Sequence, residues 1–223
     1  MNNRVVVITG ATGGLGQVVA RAFAEQGASL ALLSTSQEKL DALRDDLNLP
    51  ADKVLPQAVD LLNSDAVQEA AEAIFAKFGQ VDVLIHLIGG WVGGKTIAET
   101  DAEDFKFMLD QHAWSTFHLL RAFSPKLAAN GWGRVIAVSS PSAVNTPPKS
   151  GAYAVGKAAE ETLLFTLANQ FKGTDITANV IQVSYIDVKN SGKSTSSQEI
   201  ISAMMYLCSD EAGKISGTRL PLY

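Results

Sequence analysis

Cysteine is nearly absent: the 223-residue chain has one, Cys208, and it has only three histidines. A lone thiol excludes an internal disulfide. Cys208 follows the apolar run Met204-Met205-Tyr206-Leu207, which reads as the place of a small buried residue rather than a reactive one. His86, His112 and His118 share no metal-ligand spacing with Cys208 or with a carboxylate, so no metal site is expected. Positive charge is scarce as well. The 18 Lys and Arg are outnumbered by 23 Asp and Glu, for a formal net charge of −5. No basic cluster marks a nucleic-acid surface. No apolar run approaches the roughly 18–20 residues of a membrane helix. The opening MNNRVVVITG passes from a short apolar run into glycines without a cleavable leader pattern, so a cytoplasmic chain is expected. No Pro/Gly/Ser linker or low-complexity tract interrupts the sequence, and residues 1–223 are read as one domain.

What is present is a regular alternation. Short β-branched runs occupy Val5–Thr9, Ser29–Ser34, Lys53–Val59, Val81–Ile88, Arg134–Ser139, Thr177–Val183 and Thr218–Leu222. Several of them (VVVIT, VDVLIHLI, RVIAVSS) are apolar without alternation, the pattern of parallel strands covered on both faces. Between them, 3.6-residue periodicity predicts helices over Leu15–Gln26, Gln37–Leu47, Ser64–Phe78, Asp101–Asn130, Gly151–Lys172 and Ser197–Cys208. Ser196 and Glu199 form an S-x-x-E capping box before the last of these. Alternating βα units predict a doubly wound parallel α/β sheet of about seven strands with helices on both faces.

The first strand runs straight into Thr-Gly-Ala-Thr-Gly-Gly-Leu-Gly, from Thr9 to Gly16, and then into a helix. A glycine loop in that setting suits a pyrophosphate. Gly10 and Gly14 let the backbone turn and approach without a Cβ, Gly16 lets helix and strand pack closely, and the helix start offers unpaired N–H groups.

The spacing T-G-x-x-x-G-x-G resembles that of the short-chain dehydrogenase/reductase family. Tyr153-Ala-Val-Gly-Lys157 is similar to its Y-x-x-x-K, and Ser140 stands thirteen residues before the tyrosine, at the place of its catalytic serine. Asp60 falls where the family's aspartate meets adenine, and Gly89 at the glycine closing its N-N-A-G motif. The resemblance runs from Arg4 to Leu222. It implies a Rossmann-type fold and an NAD(P)-dependent oxidoreductase moving a hydride between the cofactor and a small-molecule carbonyl or alcohol. The implied catalytic residues are Ser140, Tyr153 and Lys157, with His112 at the position of the family's relay asparagine. The implied cofactor contacts are Gly10, Thr12, Gly14, Leu15, Gly16, Ser34, Thr35, Asp60, Leu61, Gly89, Tyr153, Lys157 and Ile186. Loop positions at the carboxyl ends of strands make Trp91, Val92, Ser142, Val144 and Tyr185 candidates for the substrate pocket. The family's helices equivalent to Asp101–Asn130 and Gly151–Lys172 pair across a two-fold axis, which implies a homodimer or homotetramer. Phe105, Met108, Phe117, Leu163, Leu164 and Phe165 are the apolar residues expected to serve it.

The chemistry is consistent with these residue types. A carbonyl that accepts a hydride must also gain a proton, and a tyrosine ordinarily titrates near a pH of about 10. A lysine one turn later on the same helix face places a positive charge beside the phenol and favours phenolate. The second strand ends in Ser34-Thr35-Ser36, with no carboxylate to bind a ribose diol and no Arg to clamp a phosphate. That tilts the expectation toward NADP, with NAD the alternative. Several positions depart from the family pattern. N-N-A-G reads His86-Leu87-Ile88-Gly89, and the loss of the second asparagine leaves backbone that another group must satisfy. Val188 lacks the hydroxyl usual after the sixth strand, and the polar loop from Asp187 to Ser197 is short for a lid. These departures leave open a second reading, a catalytically weak or idle NAD(P)-binding sensor or partner subunit.

Overall fold

The computed structural model describes residues 1–188, 191–192 and 194–223. Its strands are β1 (Val5–Thr9), β2 (Ser29–Ser34), β3 (Val54–Ala58), β4 (Val83–His86), β5 (Trp132–Ser139), β6 (Asp175–Gln182), the two-residue β7 (Ile186–Asp187) and β8 (Thr195–Ser196), and β9 (Arg219–Pro221). Seven of them form one sheet in the order β3-β2-β1-β4-β5-β6-β9. Every pairing in it is parallel. The chain winds outward from β1 to β3, crosses back to β4, and winds outward again. The reversal between β1 and β4 opens a crevice at their carboxyl ends, the usual place for a ligand in such sheets.

The lack of alternation in the strands has its cause in two cores. On one face Val6, Ile8, Val83 and Ile85 pack with Val19 and Phe23 of α1 (Gly14–Glu25) and, further along the chain, with Ile200, Met204 and Leu207. α2 (Gln37–Leu47) adds Leu40 and Leu43 to this face. On the other, Val7 and Leu84 pack with Val67 and Ile74 of α3 (Ser64–Phe78) and with Leu119, Phe123, Leu164 and Leu167. Phe23 and Phe123 are fully buried, one on each side, and each burial is worth roughly 1.5–3 kcal/mol.

Helix ends follow local chemistry. The Asn63 side chain accepts from the backbone N–H groups of Asp65 and Ala66 to start α3, and Gly79 ends it in the left-handed region. The Ser196–Glu199 capping box opens the last helix as the spacing predicts.

The predicted helix Asp101–Asn130 is not one regular helix. It consists of α4 (Ala102–Leu109), a π-helical turn at Asp110–Trp114, and α5 (Ser115–Asn130). Periodicity cannot register one wide turn, because residues on either side keep their apolar face. The π turn rotates His112 fully inward. The short α6 (Ser142–Asn145), the long α7 (Gly151–Gln170) and α8 (Ser197–Leu207) complete the fold. The segment predicted as strand Val81–Ile88 is strand only over Val83–His86; beyond it the chain leaves the sheet to form the site loop. β7 and β8 pair outside the main sheet, and no periodicity signals two residues.

His86 joins the two central strands to α5. Thr9 lies opposite it in the β1–β4 register, with the Thr9 Oγ1 2.8 Å from His86 Nδ1. His86 Nε2 is 3.1 Å from the Thr116 Oγ1, and Thr116 donates its one hydroxyl hydrogen to the His112 carbonyl. The Leu87 N–H donates to Thr9 Oγ1 at 3.3 Å. Counting hydrogens assigns the tautomer. Thr116 has no hydrogen left, so His86 Nε2–H donates to it and Nδ1 accepts from Thr9. The neutral ring is satisfied at both nitrogens.

Burial pushes the His86 imidazole down from its ordinary value to about 4, with the charge on Lys157 adding to the effect and Glu160 opposing it. An unfolded histidine takes up a proton near pH 6.5. Between these values the unfolded chain binds more protons, so the stability due to a neutral His86 is present above about pH 6.5 and is lost as pH falls toward 4. The loss amounts to about 3 kcal/mol. Urea unfolding of the wild type and His86→Asn at several pH values between 7.5 and 4 measures it. The gap between the two proteins should narrow by about that amount, and a constant gap would contradict the assignment.

Candidate active site

The glycine loop is shaped by contacts that leave no room for side chains. A Cβ on Gly16 would lie 2.2 Å from the Gly10 carbonyl oxygen. Gly10 has a φ of +66°, and a Cβ there would sit 3.2 Å from the Leu87 backbone. Gly14 lies against Val188, whose Cγ1 is 3.3 Å from a Cβ placed there. The Ala11 N–H donates to the Leu33 carbonyl at 3.1 Å, and Gln17 Nε2 donates to the Thr12 carbonyl at 2.9 Å. Among the described residues no side chain caps the start of α1, and its first turn carries no carboxylate. A close-packed glycine cradle ending in an uncapped helix start fits the diphosphate of a dinucleotide. Leu15, next in the loop, is buried in the core.

At the end of β2 the Thr12 and Ser34 hydroxyls are 2.6 Å apart, which ties the loop to the neighbouring strand. Thr35 is exposed. The Ser36 hydroxyl caps α2 by accepting from the Lys39 N–H at 3.4 Å. Asp60 is exposed and accepts from the Leu62 N–H at 2.9 Å, while Leu61 is buried with its carbonyl meeting His118 Nδ1 at 2.8 Å.

The proton-handling residues gather where α7 crosses the π turn. Gly156 makes that approach possible: a Cβ there would be 2.8 Å from the Met108 carbonyl oxygen and 3.0 Å from His112 Cδ2. Tyr153, one turn earlier, meets His112 edge to face with ring centroids 5.5 Å apart. The His112 Nε2–H donates to the Gly90 carbonyl at 2.9 Å and holds the loop after β4. Gly89 must be glycine, because a Cβ there would be 2.8 Å from His112 Cε1; it would also come within 3.6 Å of Lys157 Nζ. Lys157 is buried and donates to the Val138 carbonyl at 2.8 Å and to Glu160 Oε2 at 2.6 Å. Glu160 Oε2 also lies 3.5 Å from His112 Nδ1, within ion-pair range but long for a hydrogen bond. Burial raises the Glu160 carboxyl, but Lys157 first, then His112 and His86, outweigh it and hold the group below the ordinary carboxylate range. Ser140, buried at the end of β5, accepts from the Ser142 N–H at 3.2 Å and donates to the Ser142 hydroxyl at 3.3 Å.

The pocket candidates divide. The Gly94 N–H donates to the Lys149 carbonyl at 2.7 Å, and Lys95 bridges Ser150; Val92 lies with Gly151 and Ala152 at the start of α7, and Trp91 is exposed. Ser142 and Val144 lie on α6, with Val144 exposed. Tyr185 instead lines a separate open cavity of about 520 Å³ with Ser184, Ser194, Thr195, Glu199, Leu222 and Tyr223, none of them a catalytic candidate. Ile186 pairs with Thr195 across β7 and β8. Lys189, Asn190 and Lys193 of the predicted short lid lie outside the described residues. Cys208 is buried and its thiol is pushed up to about 12 by burial, which removes it as a nucleophile.

Sequence reasoning missed Glu160. Its signal was a carboxylate three residues after Lys157, so that Tyr153, Lys157 and Glu160 fall on one face of α7. It also missed Thr9 and Thr116, the hydroxyls that satisfy His86 and Leu87.

Comparison with known proteins agrees with the fold. Residues 4–199 match the short chain dehydrogenase family model. An uncharacterized oxidoreductase of Staphylococcus epidermidis is 26% identical over 84% of this chain and 80% of its own length. The bovine (Bos taurus) dehydrogenase/reductase SDR family member 7B is 33% identical over 83% of this chain and 59% of its own. The crystal structure of an NAD+-bound xylitol dehydrogenase superposes with a TM-score of 0.91 at 23% identity, covering 99% of this chain and 98% of that one. With the family model matched over most of its length and this site built at the sheet's carboxyl edge, the chain belongs to the short-chain dehydrogenase family of oxidoreductases acting on CH–OH and C=O groups.

Proposed function

We propose that the chain is one NAD(P)-binding domain with a built-in catalytic site, in which Tyr153 is the general acid/base for interconversion of a carbonyl and an alcohol. The observation that carries this reading is the meeting of Tyr153, Lys157 and Gly89 around the His112 ring, next to the glycine cradle. Bound along that cradle by Gly10, Thr12, Gly14 and Gly16, with Ser34, Thr35 and Asp60 toward the adenosine end, NAD(P) supplies or takes the hydride. Tyr153 gives a proton to the substrate oxygen in reduction and removes one in oxidation. Ser140 polarises that oxygen with its hydroxyl. Lys157 has three ammonium hydrogens; Val138 and Glu160 take two, and the third serves the site. Trp91, Val92, Ser142, Val144 and Tyr185 supply the substrate wall.

Two of the sequence departures are compensated. The Leu87 amide is satisfied by Thr9, and the relay position is filled by a histidine bonded to the site loop. Both observations favour a working oxidoreductase over an idle sensor.

The face of α4, the π turn and α5 supports a homo-oligomer. Of the six apolar residues expected on these helices and on α7, Met108 and Leu164 are buried in the monomer, and Leu163 and Phe165 are partly covered. Phe105 and Phe117 stay exposed beside Phe107 and Trp114.

Tyr153→Phe keeps the ring and removes the proton. Turnover of an aldehyde or ketone panel should fall by about 100-fold or more, while dissociation constants for the cofactors change little. Near wild-type turnover would remove Tyr153 from its role. NADP(H) should bind about tenfold more tightly than NAD(H), because neutral hydroxyls at Ser34 and Thr35 are worth only about 0.5–1.5 kcal/mol each toward a 2′-phosphate. Ser34→Asp should reverse that order by adding repulsion and a ribose acceptor; fluorescence titration with NADH and NADPH decides it. In sedimentation velocity at micromolar concentration the chain should run as a dimer or tetramer, and a monomer alone would overturn the assembly.

A further inference from the structure

Past the carboxyl ends of β6 and β9 lies the open cavity of about 520 Å³ that Tyr185 and Tyr223 share. Its wall begins where the candidate serine leaves the sheet. Ser139 lies opposite Gln182 in the β5–β6 register, and the Val183 N–H donates to the Ser139 carbonyl at 3.0 Å. Ser140 follows Ser139 on one strand, and Ser184, a lining residue, follows Val183 on the other. The frame of the cavity is held by its own hydrogen bonds. The Ser194 hydroxyl donates to the Tyr185 carbonyl at 2.6 Å, the Thr195 hydroxyl donates to the Leu222 carbonyl, and the Leu222 N–H donates to the Gln182 carbonyl at 2.9 Å. Leu222 itself packs on the core.

These bonds commit the Ser194 and Thr195 hydroxyls and leave the two rings free. Glu199 is the one charged side chain among the lining residues. Its carboxylate accepts from the Ser196 N–H and the Ser196 hydroxyl, both at 2.8 Å, and these bonds hold it below the ordinary carboxylate range. It stays anionic and disfavours an anionic ligand. Tyr185 and Tyr223 are 78% and 65% exposed. Two exposed phenol rings on one cavity suit a flat ring, because aromatic pairs attract beyond what their buried area provides. The volume is that of a small-molecule site. We propose that this cavity takes the aryl group of the substrate, so that the carbonyl compounds turned over are uncharged aryl ketones or aldehydes, with the oxygen at Ser140 and the ring against Tyr185 and Tyr223. The proposal rests on Ser140 and Tyr153 being the catalytic residues, and it adds the class of substrate to that reading.

The test reads binding rather than turnover. Tyr153→Phe protein saturated with NADPH is titrated with acetophenone, phenylacetone and 4-phenylbutan-2-one, and with their cyclohexyl counterparts, which match them in bulk but are not flat. The best aryl ketone should bind about three- to tenfold more tightly than its cyclohexyl counterpart. The chain has four tyrosines, so three remain in this protein, and their ring signals are followed by NMR with labelled tyrosine. Those of Tyr185 and Tyr223 should shift when the aryl ketone is added, and that of Tyr206, on α8, should not. Tyr185→Leu and Tyr223→Leu keep apolar bulk, and each should reduce the aryl preference. A circular dichroism melt reports whether they fold; if either does not, the ring shifts alone decide. No binding of an aryl ketone, equal binding of the two series, ring signals that stay in place, or an aryl preference that survives both substitutions would overturn the proposal. Tighter binding of acetone carrying a trimethylammonium group would also overturn it, since the rings would then be reading charge. None of these results touches the role of Tyr153 itself, which stands or falls on the turnover of Tyr153→Phe.

Discussion

A buried imidazole with both nitrogens bonded and no charge to spare holds the centre of this protein together. His86 ends β4, faces Thr9 across the register with β1, and reaches Thr116 on α5. Each hydrogen in the chain from the Leu87 amide through Thr9, His86 and Thr116 to the His112 carbonyl has one acceptor. In a core where an unmade hydrogen bond costs about 1–3 kcal/mol, such a chain tolerates one arrangement. It fixes where the chain leaves β4 and presents the π turn to α7. His112 then holds the Gly90 carbonyl from one side while its ring rests against Gly89 and Gly156 from the other. The glycines are required by the ring as much as by any ligand.

Two adjacent buried carboxylates on α7 do different work. Glu161 points to the sheet edge, where Gln182 of β6 and Arg219 of β9 meet it, and ties the helix to the last strands. Glu160 points across to Lys157 and His112. One step along a helix turns a side chain through about 100 degrees, enough to move a charge from the scaffold to the site. Burying an ion pair is weak evidence of stabilisation, because desolvation offsets much of the attraction.

Much of the architecture was legible in the sequence. The bounds of β1, β2, α2 and α3 agree with periodicity residue for residue, because each is a short element with one dominant pattern and clear punctuation. The interruption at Asp110–Trp114 was not, since a π turn changes which residue faces inward without changing composition. Glu160 was readable as a charge three residues past Lys157, but helix spacing alone does not tell a solvated pair from a buried one. Tyr185 follows a strand, which suggests the substrate wall; its carbonyl accepts from the Ser194 hydroxyl beside a cavity it shares with Thr195 and Tyr223, a contact no spacing signals.

By itself the sequence determined the order of βα units, the glycine cradle, and the Tyr153-x-x-x-Lys157 pair with Ser140 upstream. These are local facts, set by propensity, steric need for glycine and spacing along one helix. Only the tertiary structure decided that His86 is neutral, that His112 faces inward and grips the site loop, and that the charge of Lys157 is shared with Glu160. Those properties depend on burial and on partners from β1, β4, α5 and the π turn, which are distant in sequence. Whether a side chain carries charge, and what that charge acts on, is set by such neighbours.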